Sequence, residues 1–232
     1  MYNRAMLLPA QSREGIPWRE YAWPALLIAI PLSLVLEISL KLYGLTLRRA
    51  PTPAANVPRN AIVFLFHGDI YCSVFQDYGA REFGVGTFLG AHSFLSYVWI
   101  WRTYWMGYGV LRYDRRRQTA KLIPWIVDYM NRHASLPFAL RTDSGGPYGK
   151  VRGSIVDLAR ATNRPVVGAR QLADRAWVVR SHALPLPFAR LQTRVTVPIF
   201  PAELEGLSRE DAMRKLQIAM DALASEPGNT KK

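Results

Sequence analysis

Between residues 60 and 199 short apolar runs alternate with stretches of helical periodicity, and that alternation most narrows the folds open to this chain. Brief apolar runs bounded by turn residues read as strands, and longer amphipathic stretches read as helices. Strands are predicted at 61–66, 85–90, 110–113, 136–141, 165–169, 176–181 and 193–199. Helices are predicted at 70–78, 94–105, 118–133, 151–162 and 209–225. Parallel neighbours need a crossover, usually a helix, so this order predicts an α/β domain built on a mixed, largely parallel sheet flanked by helices. The last strands lack intervening helices, which predicts a mixed tail to the sheet.

Two of these runs end in side chains that carry chemistry. Ile62-Val63-Phe64-Leu65-Phe66 leads into His67-Gly68-Asp69, and Phe138-Ala139-Leu140-Arg141-Thr142 leads into Asp143-Ser144-Gly145-Gly146-Pro147. Loops at strand ends are where α/β proteins hold reactive groups, because the strand fixes them. A neutral imidazole takes a proton well when a carboxylate fixes its tautomer. Asp69 and Asp143 are both candidates for that partner of His67. In the second loop the glycines allow close backbone approach, and the following helix start offers N–H groups to an anion. Lys150 and Arg152 add charge there, while the Walker spacing is absent. A third cluster, Gly109-Val-Leu-Arg112-Tyr-Asp114-Arg115-Arg116-Arg117, suits a phosphate through guanidinium forks, with Arg112 and Arg115 as the chosen contacts; a solvated helix start is the other reading.

The stretch 21–36 carries no charge, but as a helix it is only about 24 Å long, short of the roughly 30 Å hydrocarbon core. Extending to Leu47 makes it long enough and brings in Glu37 and Lys41, spaced for an intrahelical ion pair with the acid first. Pro31 predicts a kink. Arginines flank both ends, which favours a helix lying in one leaflet over a full span, and either over a soluble core helix. Some twenty residues precede the apolar run, which argues against a cleaved signal peptide. The expected organisation is a membrane-anchoring segment at 1–48, a proline-rich linker at 49–59, the α/β domain at 60–226 and a disordered tail at 227–232.

A net charge of +13 calls for an anionic partner, either phospholipid or nucleic acid. No zinc-finger or RNP-like sequence accompanies it, and the apolar N-terminal stretch favours lipid. With Cys72 as the one cysteine no intrachain disulfide can form, and the four histidines make no recognisable metal constellation. The aromatic stretch Tyr97-Val98-Trp99-Ile-Trp101-Arg-Thr-Tyr104-Trp105 puts Trp101 and Trp105 on one helical face with Val98. It reads either as core packing or as a membrane-facing surface.

Taken in order, these segments resemble the glycerolipid (lysophospholipid) acyltransferase superfamily, in particular its bacterial DUF374-type branch. The resemblance rests on an apolar anchor, a strand ending in His67-Gly68, Gly109 to Arg115 as Gly-x-x-x-x-Asp-Arg, and Asp143 with its Gly-Gly-Pro turn. It continues through Gly153-Ser-Ile-Val-Asp-Leu-Ala159, the Pro165-Val-Val strand and Leu184-Pro-Leu-Pro-Phe188. It covers roughly 60–199 and is strongest over 136–167. The superfamily's His-x-x-x-x-Asp motif is altered, since Cys72 stands where its aspartate would be. The usual Glu-Gly-Thr-Arg loop is replaced by Asp143-Ser-Gly-Gly-Pro, and Gly168 stands at the late motif's proline.

The resemblance implies an acyltransferase-like fold and transfer of an acyl group from a thioester donor, acyl-CoA or acyl carrier protein, to a hydroxyl of a lysophospholipid or related lipid. It implies His67 as general base, and Arg115 with the Asp143–Gly149 loop (Ser144, Gly145 and Gly146 among them) as the substrate-binding elements. No metal or bound cofactor is expected, and membrane phospholipid is the expected partner, at the cytoplasmic face of a bacterial inner membrane. Two rival readings are a non-catalytic lipid-binding or assembly protein on a degenerate scaffold, and a nucleic-acid binder using the basic surface.

Overall fold

The structure, a computed structural model, describes residues 23–50, 57–69, 87–91, 98, 109–113, 119–141, 148–179 and 182–225. Helix α1 spans Trp23–Gly44 and is followed by β1 (Arg48–Arg49). Then come β2 (Ile62–Leu65), a 3-10 turn at His67–Asp69, β3 (Thr87–Ala91), β4 (Gly109–Tyr113), α2 (Thr119–Arg132) and β5 (Phe138–Arg141). The chain continues through α3 (Gly153–Thr162), β6 (Val166–Ala173), β7 (Ala176–Val179), β8 (His182–Pro185), β9 (Arg190–Val195) and α4 (Arg209–Ser225).

The main sheet has the order β1-β9-β6-β2-β5-β3-β4. Strands β4, β3, β5, β2 and β6 pair in parallel, β9 runs antiparallel to β6, and β1 runs parallel to β9. The expected mixed, largely parallel α/β sheet is therefore present. Its central strand β2 is buried on both faces, as a parallel strand covered from both sides must be. On one face Phe64 and Phe66 pack with Tyr129 and Met130 of α2, Ile155 of α3 and Leu216 of α4. On the other, Val63 and Leu65 meet Ala169, with Val195 beside them. The chain leaves β2 toward β3 and leaves β5 toward β6, in opposite directions across the sheet. The C-terminal ends of β2 and β5 thus form a topological switch point, where open α/β sheets leave a crevice.

Three local differences from the sequence reading have physical causes. The strand expected at 165–169 runs on to Ala173 because β9 supplies an antiparallel partner from Ala169 onward. The strand expected at 193–199 instead begins at Arg190, where outward polar residues alternate with the buried Leu191 and Thr193 and break the apolar run. Strand β8 was not expected, since its Pro185 and the prolines near it read as loop. Arg48 and Arg49 pair with Arg190 and Leu191, and Ala50 donates its N–H to the Leu191 carbonyl at 2.8 Å. The expected linker from residue 49 therefore starts as sheet edge. The helices expected at 70–78 and 94–105 lie, apart from Val98, outside the described residues.

Helix α1 has 22 residues and runs on through Pro31. Its length of about 33 Å matches a hydrocarbon core, and Leu27–Gly44 is long and apolar enough to cross or lie in a membrane. One face (Ala29, Ser33, Glu37) is buried against the domain, while Leu27, Ile28, Leu34, Val35, Ile38 and Leu42 point outward. The expected Glu37–Lys41 ion pair is present at 3.5 Å.

Gly168 sits in a tightly filled part of the core. A Cβ there would collide with the Met220 sulfur and press on Phe64 and Thr196. Its N–H, which proline lacks, donates to Thr196 Oγ1 at 2.9 Å.

The opposite, N-terminal end of the sheet is tied by Arg164, which sequence periodicity gives no reason to single out. Its buried guanidinium donates to the carbonyls of Leu136 at 2.6 Å, His133 at 2.9 Å, Asn60 at 3.3 Å and Met130. It also lies over the Phe138 ring at 5.1 Å. Burial pulls its pKa below the ordinary arginine value. A cation at the end of α2 answers the unsatisfied carbonyls and the negative end of that helix dipole. Arg164→Met would leave those buried carbonyls without donors, so the variant is expected to lose about 3 kcal/mol. Denaturant titration in detergent measures the loss, and Arg164→Lys should recover part of it.

Candidate active site

His67 lies two residues past the end of β2, at the switch point. The turn that carries it closes by donation from the Asp69 N–H to the Phe66 carbonyl at 3.3 Å. Three aromatic rings meet there. The imidazole of His67 stacks on the Tyr148 ring with centroids 5.8 Å apart and planes 18° from parallel. His182 of β8 meets His67 edge-on at 5.4 Å, and Tyr148 edge-on at 5.2 Å. Tyr148, before α3, and the β7–β8 hairpin therefore both reach the histidine. His67 and His182 are half-buried and Tyr148 is exposed, so the ring cluster opens to solvent.

Asp69 is anchored to the neighbouring strand β6. Its carboxylate accepts from Arg170 Nε at 2.7 Å and Nη2 at 3.2 Å, and from the Gln171 N–H at 3.1 Å. The side chains are 7% and 18% exposed, so this is a buried, two-pronged pair that binds the turn to β6. Both oxygens of Asp69, one of the two candidate partners of His67, thus face the Arg170 guanidinium. The cation also covers the Phe66 ring at 5.3 Å. From the other side Arg141 of β5 donates to the Phe66 carbonyl at 3.3 Å.

The remaining candidates divide as follows. Asp143, Ser144, Gly145, Gly146 and Arg115 lie outside the described residues, and Arg112 is described as a backbone position in β4. Lys150 is exposed on the segment that carries Tyr148. That segment is held by Gln217 of α4, whose amide accepts from the Val151 N–H at 2.8 Å and donates to the Gly149 carbonyl at 3.0 Å. Gly149 sits at φ 75°, a conformation that strains any residue with a side chain. The start of α3, expected to offer N–H groups to an anion, is overlaid by Arg209. That guanidinium packs directly on Gly153 and pairs with Asp157 at 2.7 Å.

Arg141, Tyr148, Arg170 and His182 belong to the site but were not picked out from sequence. One signal was available for the arginines. Both strands that flank the histidine strand end their apolar runs in arginine, and their registers align Leu65 with Arg141 and with Ala169, the residue before Arg170. His182 carried no such signal, because its strand was unrecognised. Among the described residues no three His, Cys, Asp or Glu side chains come together as metal ligands.

A half-buried imidazole at a strand end, between aromatic rings and beside cationic side chains, can accept a proton from a substrate whose anionic part lies near the arginines. Comparison with protein-family models and with curated proteins gives no match for this chain.

Truncating one member of a buried ion pair strands the other, so Asp69→Ala is expected to lower stability by about 3 kcal/mol. The double variant Asp69→Leu/Arg170→Met, which removes both charges, should regain most of that loss in the same denaturant titration.

Proposed function

We propose that this protein is a membrane-associated acyltransferase with an acyltransferase-like fold. It moves an acyl group from acyl-CoA or acyl carrier protein to a hydroxyl of a lysophospholipid or related lipid. The observation that carries the reading is His67 at the C-terminal end of the central strand, at the switch point of the sheet. The order of motifs around it and the adjoining apolar helix add support.

In this reading His67 takes the proton of the acceptor hydroxyl as its oxygen attacks the thioester carbonyl carbon. The tetrahedral oxyanion then collapses, the carbon–sulfur bond breaks, and the imidazolium returns its proton to the departing thiolate. Backbone N–H groups of the Asp143–Gly149 loop stabilise the oxyanion, and Asp69 and Asp143 are the carboxylate candidates for orienting the imidazole. Tyr148 and His182 act as positioning residues, because they contact the face and edge of the His67 ring. Arg112, Arg115 and Lys150, with Arg141 beside the histidine, supply positive charge for the acceptor's phosphate. The thioester is a substrate, and the chemistry asks for no resident cofactor. The proposed location is the cytoplasmic face of a bacterial inner membrane.

The second reading, a non-catalytic lipid-binding or assembly protein, is favoured by one observation: Asp69 is committed to Arg170. Thiol release from acyl-CoA and acyl carrier protein thioesters, measured in lipid with a panel of lysolipid acceptors, separates the two. The expected result is acceptor-dependent release that falls by roughly 100-fold to 10,000-fold in a folded His67→Ala variant. Release that persists in the variant removes His67 as the base. No release from protein that still binds vesicles supports the second reading.

A further inference from the structure

The last turn of α1 and the β8–β9 turn form one surface that nothing in the proposed catalysis uses. The Phe188 N–H donates to the Thr46 carbonyl at 2.9 Å, the Arg48 N–H to the Ala189 carbonyl at 2.9 Å, and the Tyr43 hydroxyl to the Pro185 carbonyl at 2.8 Å. These bonds set Leu45, Leu186 and Phe188 side by side, and the three are 81%, 42% and 62% exposed. Phe188 adopts φ 63°, a left-handed conformation that a bulky side chain rarely takes. A strained backbone that holds a phenyl ring out in water gains nothing in a soluble protein, and observed strain of this kind points to function. The neighbouring hairpin continues the surface. Its start is tied to the turn by the Leu186 N–H donating to the Arg175 carbonyl at 3.0 Å, and β7 exposes Trp177, Val178 and Val179 in succession.

Charge says what covers this face. Arg48, Arg49, Arg175 and Arg190 are all exposed around it, and among the described residues none of the four is in an ion pair. Arg48 and Arg190 stand directly opposite each other on paired strands, an arrangement of like charges that is unfavourable until an anion lies between them. The nearby exposed acid, Asp174, turns its carboxylate to the Arg190 N–H at 2.7 Å. Two copies meeting symmetrically through this face would press the same arginines together. A bilayer rich in anionic phospholipid satisfies both parts at once, taking the apolar side chains among its acyl chains and the guanidinium groups at its phosphates.

We infer that the 186–188 turn and the β7–β8 hairpin form a second membrane-contacting element, which docks on anionic lipid beside α1. The inference rests on the reading of α1 as a membrane-seated helix, and is independent of whether the protein transfers acyl groups. Because His182 of the same hairpin touches His67, such docking would hold the candidate base next to the lipid surface.

An environment-sensitive fluorophore tests it on the full chain in a Cys72→Ser background, attached at Leu34→Cys on α1, at Phe188→Cys or at Leu186→Cys. Phosphatidylcholine vesicles with and without phosphatidylglycerol are the probes. The expected result is a blue shift, with quenching by acyl-chain quenchers, at all three positions on the anionic vesicles. Replacing Arg48, Arg49 and Arg190 with Gln should then weaken partitioning to those vesicles by about fivefold per arginine. A shift at Leu34→Cys with both turn positions still in water overturns the inference and leaves the anchor reading intact. No shift at any position overturns both. A shift at the turn positions without vesicles, together with a dimer mass in sedimentation, assigns the face to a second copy and also overturns the inference.

Discussion

The ion pair between Asp69 and Arg170 is the contact on which the candidate site depends. It ties the turn after β2 to β6, so the residue two positions earlier, His67, emerges at a fixed point above the sheet. A buried ion pair adds little net stability once the loss of hydration is counted, so its contribution here is read as geometric. Arg141 acts on the same turn from β5 through the Phe66 carbonyl. Cations from both neighbouring strands thus hold the end of the strand that bears the histidine, Arg170 through Asp69 and Arg141 through the Phe66 carbonyl.

How much of this was legible in the sequence follows from how far each signal reaches along the chain. Helices α3 and α4 could be read closely, because an apolar stripe at helical spacing is local information. Strand β2 could be read because a fully buried strand is apolar at every position. Strands β1 and β8 could not. Arg48–Arg49 is a strand only by virtue of a partner far away in sequence, and His182–Pro185, though paired with the adjacent β7, is rich in neighbouring prolines and looks like loop. The site divides the same way. His67 announces itself as a polar residue closing an apolar run. The assignment of Asp69 to Arg170, across 101 residues, depends on strand order, which no local pattern encodes.

The scaffold behind the site is held at both ends by arginine. At the C-terminal edge Arg170 answers a carboxylate, and at the N-terminal edge Arg164 answers a group of carbonyls. Between them the core of Phe64, Tyr129, Phe138 and Leu216 fills the space under the helices. Gly168 shows how tightly that space is filled, since one added carbon has nowhere to go beside Met220 and Phe64.

Helix α1 ends and the chain enters the sheet as β1 within a few residues, paired to β9 along the edge. A protein tethered by a slack leash samples many heights and tilts above a bilayer, and its reactive group can meet substrates wherever they protrude. Here the helix is stitched to the sheet by backbone bonds at Arg48 and Ala50, so tilt and height are set together with the fold. Under the proposed function, a bilayer-seated α1 would make the distance from the bilayer to the histidine a ruler, selecting molecules by how far their reactive atom stands out of the membrane.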